Sequence, residues 1–139
     1  IAQVVPGHTI DLPTRTLTFV DALLKDQPGS QWIYDSRTEA LFTGDGFGYY
    51  TSEDKSQTLP GEGCAVSTEQ FAAYHKTTFH YLRWIKSARF NVDLDRMFAK
   101  RSVSIIAPIH GNAIVGNVAA HVDNLKVAIQ QICNAEALQ

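Results

Sequence analysis

Ala40-Leu41-Phe42-Thr43-Gly44-Asp45-Gly46-Phe47-Gly48 is the stretch on which the fold turns. Its first four residues are strand formers, and the Gly-Asp-Gly that follows ends a strand in a tight turn and leaves a carboxylate at its tip. Upstream, Gln31–Tyr34 is a second apolar run, and Asp35-Ser36-Arg37-Thr38-Glu39 between the two is turn chemistry, so Gln31–Thr43 reads as a β-hairpin. Further upstream, Ile1–Val5 and the group Leu17, Phe19 and Val20 read as strands. Downstream, Tyr49–Val66 is polar and carries Pro60, Gly61 and Gly63 without periodicity. A loop of that length in a compact domain is a functional segment, such as a lid.

The second half changes period. Ser67 with Gln70 three residues later is a capping box, and Phe71, Tyr74, Thr78, Leu82 and Ile85 recur at helical spacing. Asn91 is placed to cap a second helix carrying Leu94, Met97 and Phe98, Ser102–Pro108 reads as a buried strand, and Val118–Cys133 forms an amphipathic last helix. The order strands, helix, helix, strand, helix predicts an α/β protein with helices layered on a sheet.

Composition narrows the function classes. The 139 residues are 45% hydrophobic and 19% charged, with a net charge of −2, so a single core can form and no basic footprint for nucleic acid or anionic lipid is present. No apolar run reaches the length of a membrane span, and the first residues lack a signal-peptide pattern. Cys64 and Cys133 stand outside any C-x-x-C spacing, so no disulfide framework or cysteine zinc site is read, and a cytoplasmic location is the expectation. The chain begins at Ile1 inside a strand-like segment, which leads us to expect a preceding segment.

Three polar residues share one context, a glycine-containing turn just past a strand: His8 in Pro6-Gly7-His8-Thr9, Asp45, and His110 in Pro108-Ile109-His110-Gly111. Strand ends of layered α/β folds gather side chains from distant parts of the chain, and two imidazoles with a carboxylate are part of a shell for zinc, iron or manganese. A carboxylate can also bridge two metals. Each residue alone is more often a hydrogen-bonding loop residue; the shared context is what singles them out. Asp11 is a candidate to orient His8, though capping or turn use is the commoner role. His75 and His80 do not share a helix face well and read as surface or interface residues, both tryptophans as core or interface, and Tyr49 and Tyr50 as neighbours of whatever lies over Asp45.

Pro6-Gly7-His8-Thr9, Leu41–Asp45 and Ile106–Gly111 resemble, in order, the last three metal-ligand motifs of the metallo-β-lactamase superfamily. Within it, Leu41–Gly48 is similar to the Leu-Phe-Ser-x-Asp-x-Phe-Gly segment of the flavodiiron oxygen-binding domain, and Thr16–Phe19 resembles its Met-Phe-Thr-Tyr strand, with Asp21–Ser30 as an insertion. The resemblance implies an αββα sandwich of which residues 1–139 supply the C-terminal half, since the superfamily's His-x-His/Glu-x-Asp-His motif is absent. It implies two metal ions, iron before zinc, with His8 on one, His110 on the other and Asp45 between them. The chemistry implied is reduction of O2 or NO, with FMN on a separate domain or a flavoprotein donor. The partner implied is the missing N-terminal half or another copy of the chain. A dizinc hydrolase acting on an ester, thioester, lactone or phosphodiester is the alternative, and a degenerate non-catalytic module the second.

Overall fold

The structure is a computed structural model, and it describes residues 5–51 and 65–135. Residues 9–44 fold as a four-stranded antiparallel meander: β1 (Thr9–Leu12), β2 (Arg15–Asp21), β3 (Gln31–Asp35) and β4 (Ala40–Gly44). Two helices follow, α1 (Thr68–Thr78) and α2 (Ser87–Ala99), separated by a 3₁₀ turn at His80–Trp84. Then come β5 (Ile105–Pro108), β6 (Ile114–Val115) and α3 (Val118–Asn134). The six strands form one sheet in chain order. β5 lies parallel to β4, and a parallel neighbour demands a crossover, which the segment containing α1 and α2 supplies.

Register sorts the side chains into two faces. Tyr34, Leu41, Ile106 and Ile114 stand in one cross-strand row, and the last three are fully buried. They join Trp32, Phe71, Leu94, Leu125 and Ile129 in a single core, so the three helices cover this face. The alternate row runs Phe19, Ile33, Phe42 and Ala107, and on it Phe42 is exposed, as are Ile10 and Val115 from the same face of the edge strands. No described element covers that apolar face. A sheet that is apolar on both sides is built to be packed on both.

The helices differ from expectation at their ends. The helix predicted to reach Ile85 stops at Thr78, where Phe79 (φ −115°, ψ 74°) breaks the pattern and the chain tightens into the 3₁₀ turn. Ser67 does close the expected capping box, accepting from the Gln70 amide while the Gln70 side chain accepts from the Ser67 amide. α2 begins at Ser87, so Asn91 lies inside the helix and is not its cap. In the strands, Thr9–Leu12 and Ile114–Val115 are edge strands that the apolar pattern does not reveal, and the Ser102–Pro108 strand is shorter, starting at Ile105. Ile1–Val5, apart from its last residue, and most of Tyr49–Val66, with Cys64, lie outside the described residues.

Candidate metal centre at the end of the parallel strand pair

Because β4 and β5 run parallel, the turns that leave them open at the same end of the sheet. Asp45 follows β4 directly, and His110 stands two residues past β5. The two turns are tied by their backbones: the Ile109 amide donates to the Gly44 carbonyl at 2.8 Å and the Tyr49 amide to the His110 carbonyl at 3.3 Å. The result places His110 Nε2 3.5 Å from Asp45 Oδ1. Residues 65 positions apart thus present a nitrogen and an oxygen donor side by side, and the His110 side chain is open to solvent.

A third side chain completes this corner. Tyr74, on the buried side of α1, donates its hydroxyl to Asp45 Oδ1 at 2.7 Å, and its ring lies 5.7 Å from that of His110. Burial first, then this hydrogen bond, push the Tyr74 phenol well above its ordinary value, so it stays a donor and fixes the carboxylate's rotation. The sequence places Tyr74 on a helix face by its spacing alone, which carries no indication that its hydroxyl reaches Asp45.

The Asp45 turn is held by close packing. Thr43 Oγ1 donates to the Gly46 carbonyl at 2.5 Å, and a Cβ on Gly46 would lie 2.6 Å from Trp32 Cζ2. On Gly48 it would lie 2.4 Å from Tyr74 Cε1, so only glycine lets this tyrosine approach. Between them Phe47 has φ 62°, a left-handed conformation costly for an aromatic residue, and is fully buried among Trp32, Phe71 and Phe98 at centroid distances of 5.9–6.1 Å. Aromatic packing therefore holds a strained backbone beside the carboxylate.

His8 is placed differently. It precedes β1, three strands from β4 in the sheet order. Its ring lies 6.0 Å from Phe19. The sheet order instead brings the Asp26–Ser30 loop, which enters β3, one strand from β4; there Asp26 Oδ1 accepts from Ser30 Oγ at 2.6 Å. That hydrogen bond holds the Asp26 carboxyl below its ordinary value. The structure joins Asp45 with His110 and leaves His8 apart, and among the described residues no three His, Cys, Asp or Glu side chains gather as a metal-holding group. Asp45 and His110 fit a metal ion as a nitrogen and oxygen pair on one side of its shell, with further donors required from elsewhere.

Asp11 accepts from Thr16 Oγ1 at 2.9 Å across the β1–β2 hairpin, so its described role is cross-strand. Tyr49 is buried, exchanging hydrogen bonds with the Asn112 backbone at 3.1 and 3.3 Å, whereas Tyr50 is exposed and pairs with Thr77 Oγ1 at 2.9 Å. Trp32 is core, but Trp84 is exposed. Cys133 is half-buried, its thiol on the Leu82 carbonyl at 3.1 Å.

His75 is the largest departure from expectation: it is fully buried, not a surface residue, and stacks on Phe79 at 5.5 Å. Its Nδ1 donates to the Phe71 carbonyl at 2.7 Å, leaving Nε2 buried without a described partner. Burial lowers its pKa to about 4, against smaller upward pulls from the Phe71 carbonyl and Asp45. The unfolded imidazole titrates near 6.5, so between those values the unfolded chain binds the extra proton. Stability should therefore fall as pH drops from about 6.5 towards 4, by roughly 3 kcal/mol in total. Urea midpoints at pH 7 and about 4.5 should show this fall in the wild type and lose most of it in His75→Phe; an equal fall in both would assign it elsewhere.

The fold is of the metallo-β-lactamase kind. Residues 2–111 match the family model described as ODP family beta lactamase, and the chain belongs to that family. Among solved structures, the flavodiiron protein from Giardia intestinalis aligns over 93% of this chain and 29% of its own, at 21% identity and TM-score 0.63. A mutant of the flavo di-iron protein from Thermotoga maritima aligns over 90% and 30%, at 14% identity and TM-score 0.67. Rubredoxin oxygen:oxidoreductase from Desulfovibrio gigas aligns over 95% and 31%, at 22% identity and TM-score 0.58. The chain thus spans less than a third of the length of these three proteins. No curated protein matches it.

Proposed function

We propose that the Asp45–His110 corner is one side of a two-metal centre of flavodiiron type, and that the complete protein reduces O2 or NO there. The observation that carries this is the 3.5 Å approach of His110 Nε2 to Asp45 Oδ1 at the shared end of two parallel strands, under a tyrosine that orients the carboxylate. Iron bound there would supply electrons to the diatomic, received in turn from a flavin on another segment or partner. This chain's own part is to hold the donors. His110 offers a nitrogen, Asp45 an oxygen free of Tyr74 for a second ion, and Tyr74 a proton-bearing hydroxyl at the site edge. His8, three strands away, is no part of this pair, and the role proposed for it is on the second ion.

The uncovered apolar face supports the structural half of the proposal. Packing a second sheet on Phe19, Ile33, Phe42 and Ala107 completes an αββα sandwich, and the additional ligands arrive with that sheet. Metal analysis of the complete protein purified without added metal tests the reading. About two irons per chain with O2 or NO consumption is the expected result; two zincs would replace it with a hydrolase, and no metal would leave a non-catalytic module.

A further inference from the structure

Asp45 and His110 are held by different tyrosines. The Tyr74 hydroxyl fixes the Asp45 carboxylate directly. The His110 side chain is 61% exposed, so its aim depends on the backbone turn that carries it more than on packing around the ring.

Tyr49 grips that turn at three consecutive residues. Its backbone amide donates to the His110 carbonyl at 3.3 Å. Its ring lies against Gly111, where φ is 91° and a Cβ would stand 2.6 Å from Tyr49 Cε1, so both the conformation and the close approach require glycine. Its phenol oxygen accepts from the Asn112 amide at 3.1 Å and donates to the Asn112 carbonyl at 3.3 Å. A hydroxyl that both receives and gives a hydrogen bond on one residue is fixed in rotation and fixes that residue in return. Tyr49 itself is buried and edge-on to Phe71 at 6.4 Å, so the grip is anchored in the core.

The same short segment carries the other donor. Asp45 lies four residues before Tyr49, and the chain between them is tightly wound: the Gly46 amide donates to the Thr43 carbonyl at 2.9 Å and the Gly48 amide to the Asp45 carbonyl at 3.1 Å, around the fully buried Phe47. One rigid piece of backbone therefore bears the carboxylate at one end and the clamp on the His110 turn at the other.

We infer that Tyr49 is a positioning residue for His110: its phenol, bridging the amide and carbonyl of Asn112, holds the turn so that the imidazole keeps its place beside Asp45. The inference rests on the corner being one side of a two-metal centre. Tyr49 acts through the His110 backbone and not as a ligand. Donors already in place spare the ion the ordering that would otherwise accompany binding.

The test uses the full-length protein stripped of metal and titrated with Co²⁺, whose visible absorption reports the geometry of its shell. Wild type should take up two ions. Tyr49→Phe keeps the ring and removes the hydroxyl; it should bind one of the two ions about 10- to 100-fold more weakly, with an altered cobalt spectrum, and the other as wild type does. Gly111→Ala, whose Cβ displaces the Tyr49 ring, should reproduce the selective loss, and Tyr50→Phe, at the exposed neighbour, should not. Hydrogen exchange supplies a readout that needs no metal: the Asn112 amide should exchange about tenfold faster in Tyr49→Phe. Two ions bound by Tyr49→Phe as tightly as by wild type would overturn the inference and leave the two-metal reading standing, as would unchanged exchange at Asn112. An equal loss of both ions would make Tyr49 a general support of the fold and overturn its assignment to His110. A wild type that takes up no cobalt would remove the two-metal reading and the inference with it.

Discussion

Asp45→Ala in the complete protein is expected to strip the centre of metal, with affinity weakened by more than about 100-fold, beyond what loss of an outer partner does. Among the described residues, Asp45 is the one carboxylate at the shared end of β4 and β5, its Oδ1 fixed by Tyr74 at 2.7 Å and approached by His110 at 3.5 Å. On the proposed reading, removing it takes away the group that serves both ions. His110→Ala takes away a single nitrogen and should release one ion of two. Tyr74→Phe leaves every ligand and removes only the orienting hydrogen bond, so its loss of affinity belongs in the range of about 10- to 100-fold. His8→Ala should leave the ion on His110 in place. Metal stoichiometry and competition with a chelator measure the series; an Asp45→Ala protein with wild-type metal content, or a His8→Ala protein that loses both ions, would overturn the assignment.

Asp45 and His110 are legible in the sequence because each lies just past a strand in a glycine turn, and two such turns meet whenever their strands are parallel neighbours, as β4 and β5 are. His8 has the same local signature, but local signatures do not carry sheet order. The meander inserts β2 and β3 between β1 and β4, so His8 does not join the Asp45–His110 pair among the described residues. The same blindness hides Tyr74 and His75. Both sit on α1 at adjacent positions, and only the packing of α1 shows that one meets a carboxylate and the other three aromatic rings. The core is more legible, because Leu41, Ile106, Leu125 and Ile129 announce their burial through period. The stop at Thr78 is not, since Leu82 and Ile85 continue a helical period through the 3₁₀ turn.

Phe71→Ala should have the largest effect on stability, about 3–5 kcal/mol, a large share of the roughly 5–15 kcal/mol that holds a domain together. Phe71 is fully buried on α1, edge-on to Phe47 at 6.0 Å, Tyr49 at 6.4 Å and His75 at 5.8 Å. Truncating it opens a cavity lined by aromatic rings, which are stiff and cannot collapse into the space as aliphatic chains do. The effect reaches the site through Phe47. Its left-handed backbone is tolerated because the rings around it leave no alternative, and Phe71 is one of those rings. With the cavity present, Phe47 can relax, and the Asp45 turn two residues earlier loses its fixed aim. Phe71→Leu, which refills most of the volume, should cost less than half as much. Trp84→Ala, equally aromatic but exposed, should fall within about 0.5 kcal/mol of wild type. Denaturant midpoints for the three variants test this order directly: equal losses for Phe71→Ala and Trp84→Ala would mean that the α1 face is not the centre of the core. A Phe71→Ala protein that is destabilised yet keeps its full metal affinity would separate the packing of Phe47 from the aim of Asp45.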